Sequence, residues 1–321
     1  MRFLNCPELA CCCAGVLAVA FALATGTGCS VRVYAINKLG NALSHGSGAF
    51  ASDDDPEFVK AAAPMSLKVI EGLLMESPRH SGMLLAATSG FTEYAYAFLE
   101  QDADELEARD LAATGALRVR AKRLYLRGRD YGLRGLDVAH PDFTKSLRTD
   151  PKSAVRVATK ADVPLLYWTA AAWGSAITLG KDSPDLVADQ PVVEALIDRA
   201  LELDEAWDHG AIHGFLVSYE GSRQGVRGKS EARAREHFAR AMELSNGQQA
   251  APLLALAESV SVAKQDVKEF RALLERALAI DVNARPEWRL VNTVMQRRAR
   301  WLLSRVEDLF LVATPAPEKA K

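Results

Sequence analysis

Glu231 to Ser245 reads EARAREHFARAMELS, and its apolar residues recur at helical rather than strand spacing. Ala234, Phe238, Ala241 and Met242 share one face, while Arg233, Glu236, Arg240 and Glu243 lie away from it. The spacing predicts a helix with one buried stripe. Its last eight residues, FARAMELS, have counterparts in IDRALELD (Ile197 to Asp204) and LERALAID (Leu274 to Asp281). Each copy places an alanine, Ala200, Ala241 or Ala277, at intervals of 41 and 36 residues, with a large apolar residue, Ile197, Phe238 or Leu274, three positions earlier.

An alanine at that point lets the two helices of a hairpin approach closely. The pattern resembles the second helix of a tetratricopeptide repeat, whose period is about 34 residues. From Asp53 onward the chain reads as one amphipathic helix after another, without sustained β-type alternation. The expected fold is therefore all-α, with cryptic tetratricopeptide-like hairpins stacked around an apolar interior or pore. One segment differs from the rest: ADVPLLYWTAAAWGSAITLG (Ala161 to Gly180) has no charge after Asp162. A helix apolar nearly all round is buried on most sides or lines an apolar cavity.

All five cysteines, Cys6, Cys11, Cys12, Cys13 and Cys29, precede residue 30. Leu9 to Val31 carries no charge, and GVLAVAFALA at its centre suits a signal-peptide core. The following TGTGCS resembles a bacterial lipoprotein signal, with Thr27 and Gly28 ahead of an acylated Cys29; Gly26 departs from the usual aliphatic residue, and an uncleaved anchor ending near Val31 is the other reading. Ser30 after the cysteine resembles the preference for outer-membrane sorting. The expected division is a signal peptide at 1–28, a tether at 29–52, one helical domain at 53–312 and a disordered tail at 313–321. The chain of 321 residues is 49% hydrophobic and 25% charged with a net charge of −2. That balance argues against nucleic acid as a partner, and membrane attachment is expected through the N-terminal lipid alone.

Two charge runs stand out. EQDADELEARD (Glu100 to Asp110) is acidic and RVRAKRLYLRGRDYGLR (Arg118 to Arg134) is basic, as if Asp102 or Asp104 capped a helix running to about Gly128. Within the second run, YLRGRDYGLRGL (Tyr125 to Leu136) points to a helix end, a tight turn and a new helix. Catalytic signatures are lacking: no G-x-S-x-G elbow, P-loop or Rossmann fingerprint occurs. His209 and His213 have zinc-compatible spacing, but HGAIH lacks the glutamate and further ligands of a metal site. No enzyme activity, metal or cofactor is expected.

YLRGRDYGLRGL, HPDF (His140 to Phe143), VPLLYWTAAAWGSAI from Val163, HGFLVSYEGSR from His213 and NTVMQRRARWLL from Asn292 occur in that order. In order and extent the chain resembles the TatT component family associated with tripartite ATP-independent periplasmic (TRAP) transporters. The resemblance implies a lipid-tethered helical protein on the outer membrane of a Gram-negative bacterium, facing the periplasm and able to form a trimer. It also implies a periplasmic TRAP-type solute-binding protein as partner and a hydrophobic small molecule as ligand. Tyr167, Trp168 and Trp173 are then candidates for pore lining, with Phe215 and Tyr219 opposite, although plain core packing explains such aromatics equally well. Arg127, Arg129, Asp130 and Tyr131 are expected at a polar constriction or in a structural clasp. The competing reading is a repeat lipoprotein that scaffolds other proteins without a small ligand.

Overall fold

The computed structural model describes residues 36–41, 47–221, 223 and 230–311. The expected signal peptide, the lipidation candidate Cys29 and the tail at 313–321 lie outside the described residues. Every element among the described residues is helical. Ten helices build the wall: α1 (Pro56–Glu76), α2 (Ser81–Tyr94), α3 (Leu111–Ala139), α4 (Val163–Thr178), α5 (Gln190–Leu203), α6 (Ala211–Tyr219), α7 (Ser230–Leu244), α8 (Ala251–Leu256), α9 (Val267–Leu278) and α10 (Arg289–Ser304). Two of them run on through π turns. α2 continues through Ala95–Glu100 into a helix at Gln101–Leu106, and α8 continues through Ala257–Ser261.

Local sequence sets the ends. Asp55 accepts hydrogen bonds from the Glu57 and Phe58 amides ahead of α1, where Pro56 fills a position whose missing N–H costs nothing. Asp110 caps α3 through the Ala113 amide, so the expected cap at Asp102 or Asp104 is displaced. Those two residues belong to the preceding helix and serve as ion-pair partners instead. Nor does YLRGRDYGLRGL break the chain: α3 is continuous over 29 residues. Its glycines serve packing. A Cβ on Gly132 would lie 2.1 Å from Thr169 Oγ1, and one on Gly128 would lie 2.9 Å from Thr92 Oγ1. Bare backbone at these points lets α3 settle against both α2 and α4, a contact that larger side chains would hold apart.

Successive helices pack as neighbours: α1 on α2, α2 on α3, α3 on α4, α4 on α5, α6 on α7 and α9 on α10. The three recurrent alanines sit in α5, α7 and α9, and each is at most 1% exposed. The helices before them, α4, α6 and α8, are their packing partners. Buried amides hold the last helix in register. Asn292 accepts from the Ala250 amide and donates to the Gln248 carbonyl at the start of α8. Gln296, one turn on, donates to the Ala277 and Ile280 carbonyls at the end of α9.

The last helix returns to the first. α10 packs against α1, and its arginines meet the acidic run that follows α2. Arg297 grips Glu105 through both carboxylate oxygens at 2.8 and 2.9 Å and reaches Asp102 at 3.2 Å. Arg298 pairs with Asp104 at 3.0 Å and with Glu258 of the second π turn at 2.5 Å. The helices thus close a ring, and the acidic run supplies the clasp.

Candidate functional site

α2 is buried on the sides that meet α1, α3 and α4, yet Glu93 and Tyr96 on its remaining face keep accessible surface, Tyr96 as much as 43%. Both are nevertheless strongly desolvated. Burial pushes the Glu93 carboxyl up to about 7, with Asp208 adding to the effect, and burial raises the Tyr96 hydroxyl to about 12. Both thus meet solvent while lying deep among other residues. Ala97 and Glu100 extend the same face by a further turn. No extensive helix-to-helix packing joins α2 to α6 or α8 across the ring among the described residues.

The neighbouring helix α4 carries an aromatic group. Tyr167 of α4 packs edge-on against Trp168 at 5.0 Å and Phe215 of α6 at 6.4 Å, and lies 4.8 Å from Trp207. Phe215 in turn stacks on Tyr219 at 5.2 Å. Such ring pairs are worth about 0.5–1.5 kcal/mol each beyond their buried area. Phe215 packs beside Gly174 of α4, where a Cβ would stand at an ordinary contact distance of 3.5 Å from its ring. Asp208, next to Trp207, adopts φ 45°, and burial raises its carboxyl while the neighbouring His209 draws it down. Asp208 and Glu93 both act on Tyr167 electrostatically, and burial is the main reason the Tyr167 hydroxyl is raised. Asp208 and Glu93 therefore lie within electrostatic reach of Tyr167.

Further along, Glu100 accepts a short hydrogen bond from the Tyr125 hydroxyl. Burial lifts the Glu100 carboxyl to about 7 against the lowering effect of that bond. Arg298 and Glu258 act on the Tyr96 hydroxyl in opposite senses, Arg298 lowering it and Glu258 raising it. Both π turns thus contribute to one place, as π segments often do at functional positions.

The expected aromatic residues divide. The structure brings Tyr167, Trp168, Phe215 and Tyr219 together and places Trp173 elsewhere. Trp173 is 5% exposed, lies under Arg129 at 5.0 Å and donates to Asp189 at 3.2 Å. Six residues after Tyr167 on a helix, it points about 240° round the axis. The expected polar group also lies apart from the aromatic wall. Arg127 sits over Phe91 at 5.3 Å and pairs with Glu71 at 3.6 Å. Tyr131 stacks on Phe91 at 6.0 Å and donates to Glu71 at 3.0 Å, so these two fasten α3 to α1. Arg129 pairs with the exposed Asp130 at 2.7 Å. Arg127, Asp130 and Tyr131 border an open groove of about 410 Å³ on the polar face of α3.

Glu93, Tyr96, Trp207 and Asp208 were not marked by any motif. A signal existed for the first: Glu93 is the single charge between Ser81 and Leu99. His209 and His213, the zinc-spaced pair, are directed differently. His209 packs edge-on to Trp288 at 5.0 Å, while His213 Nδ1 lies 2.8 Å from His237 Nδ1. Among the described residues no group of three or more side chains is arranged to hold a metal ion, and no helix is long and apolar enough to cross a membrane.

Because the Glu93 carboxyl is raised by folding, the folded state binds a proton more tightly than the unfolded chain there. Its contribution to stability is greatest below pH 4.5 and declines as pH rises through about 7. Glu93→Gln is therefore expected to melt above the unmodified protein at pH 8, with the gap narrowing towards pH 5. Parallel melting curves across that range would show the carboxylate to be well solvated.

An all-helical wall whose last helix meets its first is the class of fold that the described residues define. Residues 52–310 match the family described as TRAP transporter T-component, and the chain belongs to that family. It is also 28% identical over 305 residues to an uncharacterized protein of Treponema pallidum (strain Nichols), covering 88% of this chain and 94% of the relative.

Proposed function

We propose that this TRAP transporter component is a periplasm-facing lipoprotein that holds a hydrophobic small molecule within its ring and docks a periplasmic solute-binding protein. The observation that carries the reading is the inner wall: Tyr167, Trp168, Trp207 and Phe215 gather on the ring's interior side, opposite desolvated groups on α2 that still meet solvent. Membership of the T-component family supports the transporter context, and Cys29 is the proposed anchor. The hairpins α4–α5, α6–α7 and α8–α9 are read as tetratricopeptide-like, with their buried alanines at the close approach. A scaffold without a small ligand is the second reading, favoured by the open groove along α3.

Native mass spectrometry of the protein purified from its own envelope tests the proposal. A reproducible apolar molecule released from the intact protein is expected. Phe215→Asp places a charge on the aromatic wall and should lower occupancy by about tenfold or more, since the charge must be desolvated on ligand entry. An empty protein accompanied by assorted envelope proteins would favour the scaffold.

A further inference from the structure

Four arginines of α3 share one exposed face. Arg120, Arg123, Arg127 and Arg134 fall within about 60° of one another round the helix axis and span about 21 Å along it. Arg120 and Arg123 make no ion pair or hydrogen bond among the described residues. Arg127 is only partly neutralised, because its acidic partner, Glu71 at 3.6 Å, is also held by Lys68 at 2.7 Å. Arg134 donates to the Pro78 carbonyl at 3.1 Å and lies over the Tyr131 ring, and it meets no carboxylate among the described residues. The one acid within the stripe, Asp130, is taken by Arg129 at 2.7 Å. The open groove of about 410 Å³ lies among these cations, with Leu126 and Tyr131 adding apolar surface to it. This face is strongly positive in a chain whose net charge is −2.

One end of the stripe meets the turn to which the N-terminal segment is fastened. Asn37 accepts a hydrogen bond from the Ser77 hydroxyl at 2.7 Å, and its carbonyl lies 3.2 Å from His80 Nε2. Arg134 reaches Pro78 between those two residues, and Arg79 of the same turn is exposed and unpaired among the described residues. Leu39, two residues past Asn37, and Met75, next to the end of α1, are exposed apolar side chains at this place. Cys29 stands seven positions before Ile36, a stretch that spans at most about 25 Å. An acyl group on Cys29 therefore holds a bilayer close to this turn. Cations kept that near an anionic leaflet are drawn to it once they come within a Debye length, about 10 Å at moderate salt.

We propose that the α3 face carrying Arg120, Arg123, Arg127 and Arg134, together with Arg79, seats the protein on an anionic phospholipid surface, with headgroup phosphates entering the groove among the arginines. The inference rests on the reading of Cys29 as a lipid anchor and adds a second membrane contact to it. A tether alone leaves the body free to turn, whereas a basic stripe beginning beside the tether fixes one flank against the bilayer. Helices away from α3, such as α9 with its neighbours α8 and α10, are then left to a soluble partner. An acidic protein would satisfy the same cations, but the tether brings a bilayer, and not a protein, to this turn.

The test uses the full-length chain with Cys29→Ser, which cannot be acylated, and measures its co-sedimentation with two kinds of vesicle: phosphatidylcholine alone, and equal parts of phosphatidylcholine and phosphatidylglycerol. Any contribution of the apolar segment before residue 29 is common to both. Binding is expected to be about tenfold or more tighter on the anionic vesicles, and the preference should vanish at about 1 M salt, where the Debye length falls to about 3 Å. Arg79→Gln, Arg120→Gln and Arg123→Gln together should abolish the preference. These side chains are exposed and unpaired, so the variant is expected to fold, which its melting curve verifies. Lys268→Gln, Arg271→Gln and Arg276→Gln remove the same charge from exposed positions of α9 and should leave the preference in place. Equal binding to both vesicles, or equal losses in the two triple variants, would overturn the inference. The mass of the protein purified from its own envelope reports acylation of Cys29 separately. An acylated chain without the lipid preference sinks this inference and leaves the anchor standing; an unmodified Cys29 removes the anchor and this inference with it.

Discussion

Glu220→Gln is expected to destabilise the protein by roughly 3–5 kcal/mol, the range typical of breaking a buried ion pair from one side. The Glu220 side chain has no accessible surface and takes Arg223 at 2.7 Å together with Arg233 of α7, while Arg223 also grips Asp198 of α5. Glu220 therefore ties the end of α6 to α7 directly and, through Arg223 and Asp198, to α5. Burial works to raise its pKa, but the hydrogen bonds from Arg233 and Arg223 outweigh burial and hold it below the usual carboxylate value. The sign follows: its contribution is present above pH 4.5 and is lost as pH falls through the lowered folded value. Urea unfolding at pH 7 measures the loss directly. A deficit that stays constant down to pH 3 would assign it to shape rather than charge.

Arg298→Met is expected to cost roughly 2–4 kcal/mol by the same argument, slightly less because Arg298 is 15% exposed and its partners more so. Methionine retains much of the packing against Trp301, over which the guanidinium lies at 5.5 Å. What it removes is the neutralisation of Glu258, Asp104 and, at longer range, Glu100. Three carboxylates would then face one another at the closure of the ring. Hydrogen exchange should locate the damage: amides of Gln101–Leu106 and of the Ala257–Ser261 turn are expected to lose protection before those of α3 and α4. Uniform loss across all helices would mean that closure and core form one cooperative unit.

The fold class was legible because helical periodicity is a local property. The stripe at Ala234, Phe238, Ala241 and Met242 identifies α7 without knowledge of what covers it, and three of the four are buried. Glycine use was not legible in the same way. Gly128, Gly132 and Gly135 look like helix breakers when read along the chain, but they face Thr92, Thr169 and Leu165 across it. No local pattern reports what stands opposite. The acidic run posed the same difficulty, since its partners Arg297 and Arg298 lie more than 190 residues away.

The candidate site shows a comparable division. Tyr167, Trp168 and Phe215 stood out as aromatics in charge-poor helices, and they do converge. Trp173 belonged to the same apolar segment, yet helical geometry turns it towards Arg129 and Asp189. Glu93 and Asp208 escaped notice because single acidic residues are common on helix surfaces. Their significance comes from a face that is surrounded without being covered, which only the assembled ring creates.

The closure between Arg297 and Glu105 spans 192 residues of chain. Contacts of such separation repay the entropy of loop closure only after nearly everything between them is in place. The hairpins can form as they emerge, each from near neighbours, but the interior acquires its last side only with α10. A chain arrested or cleaved before Arg289 would present the aromatic wall and the acidic run to its surroundings together. The closure of the helical wall is thus a late product of folding, and its completion marks a finished molecule.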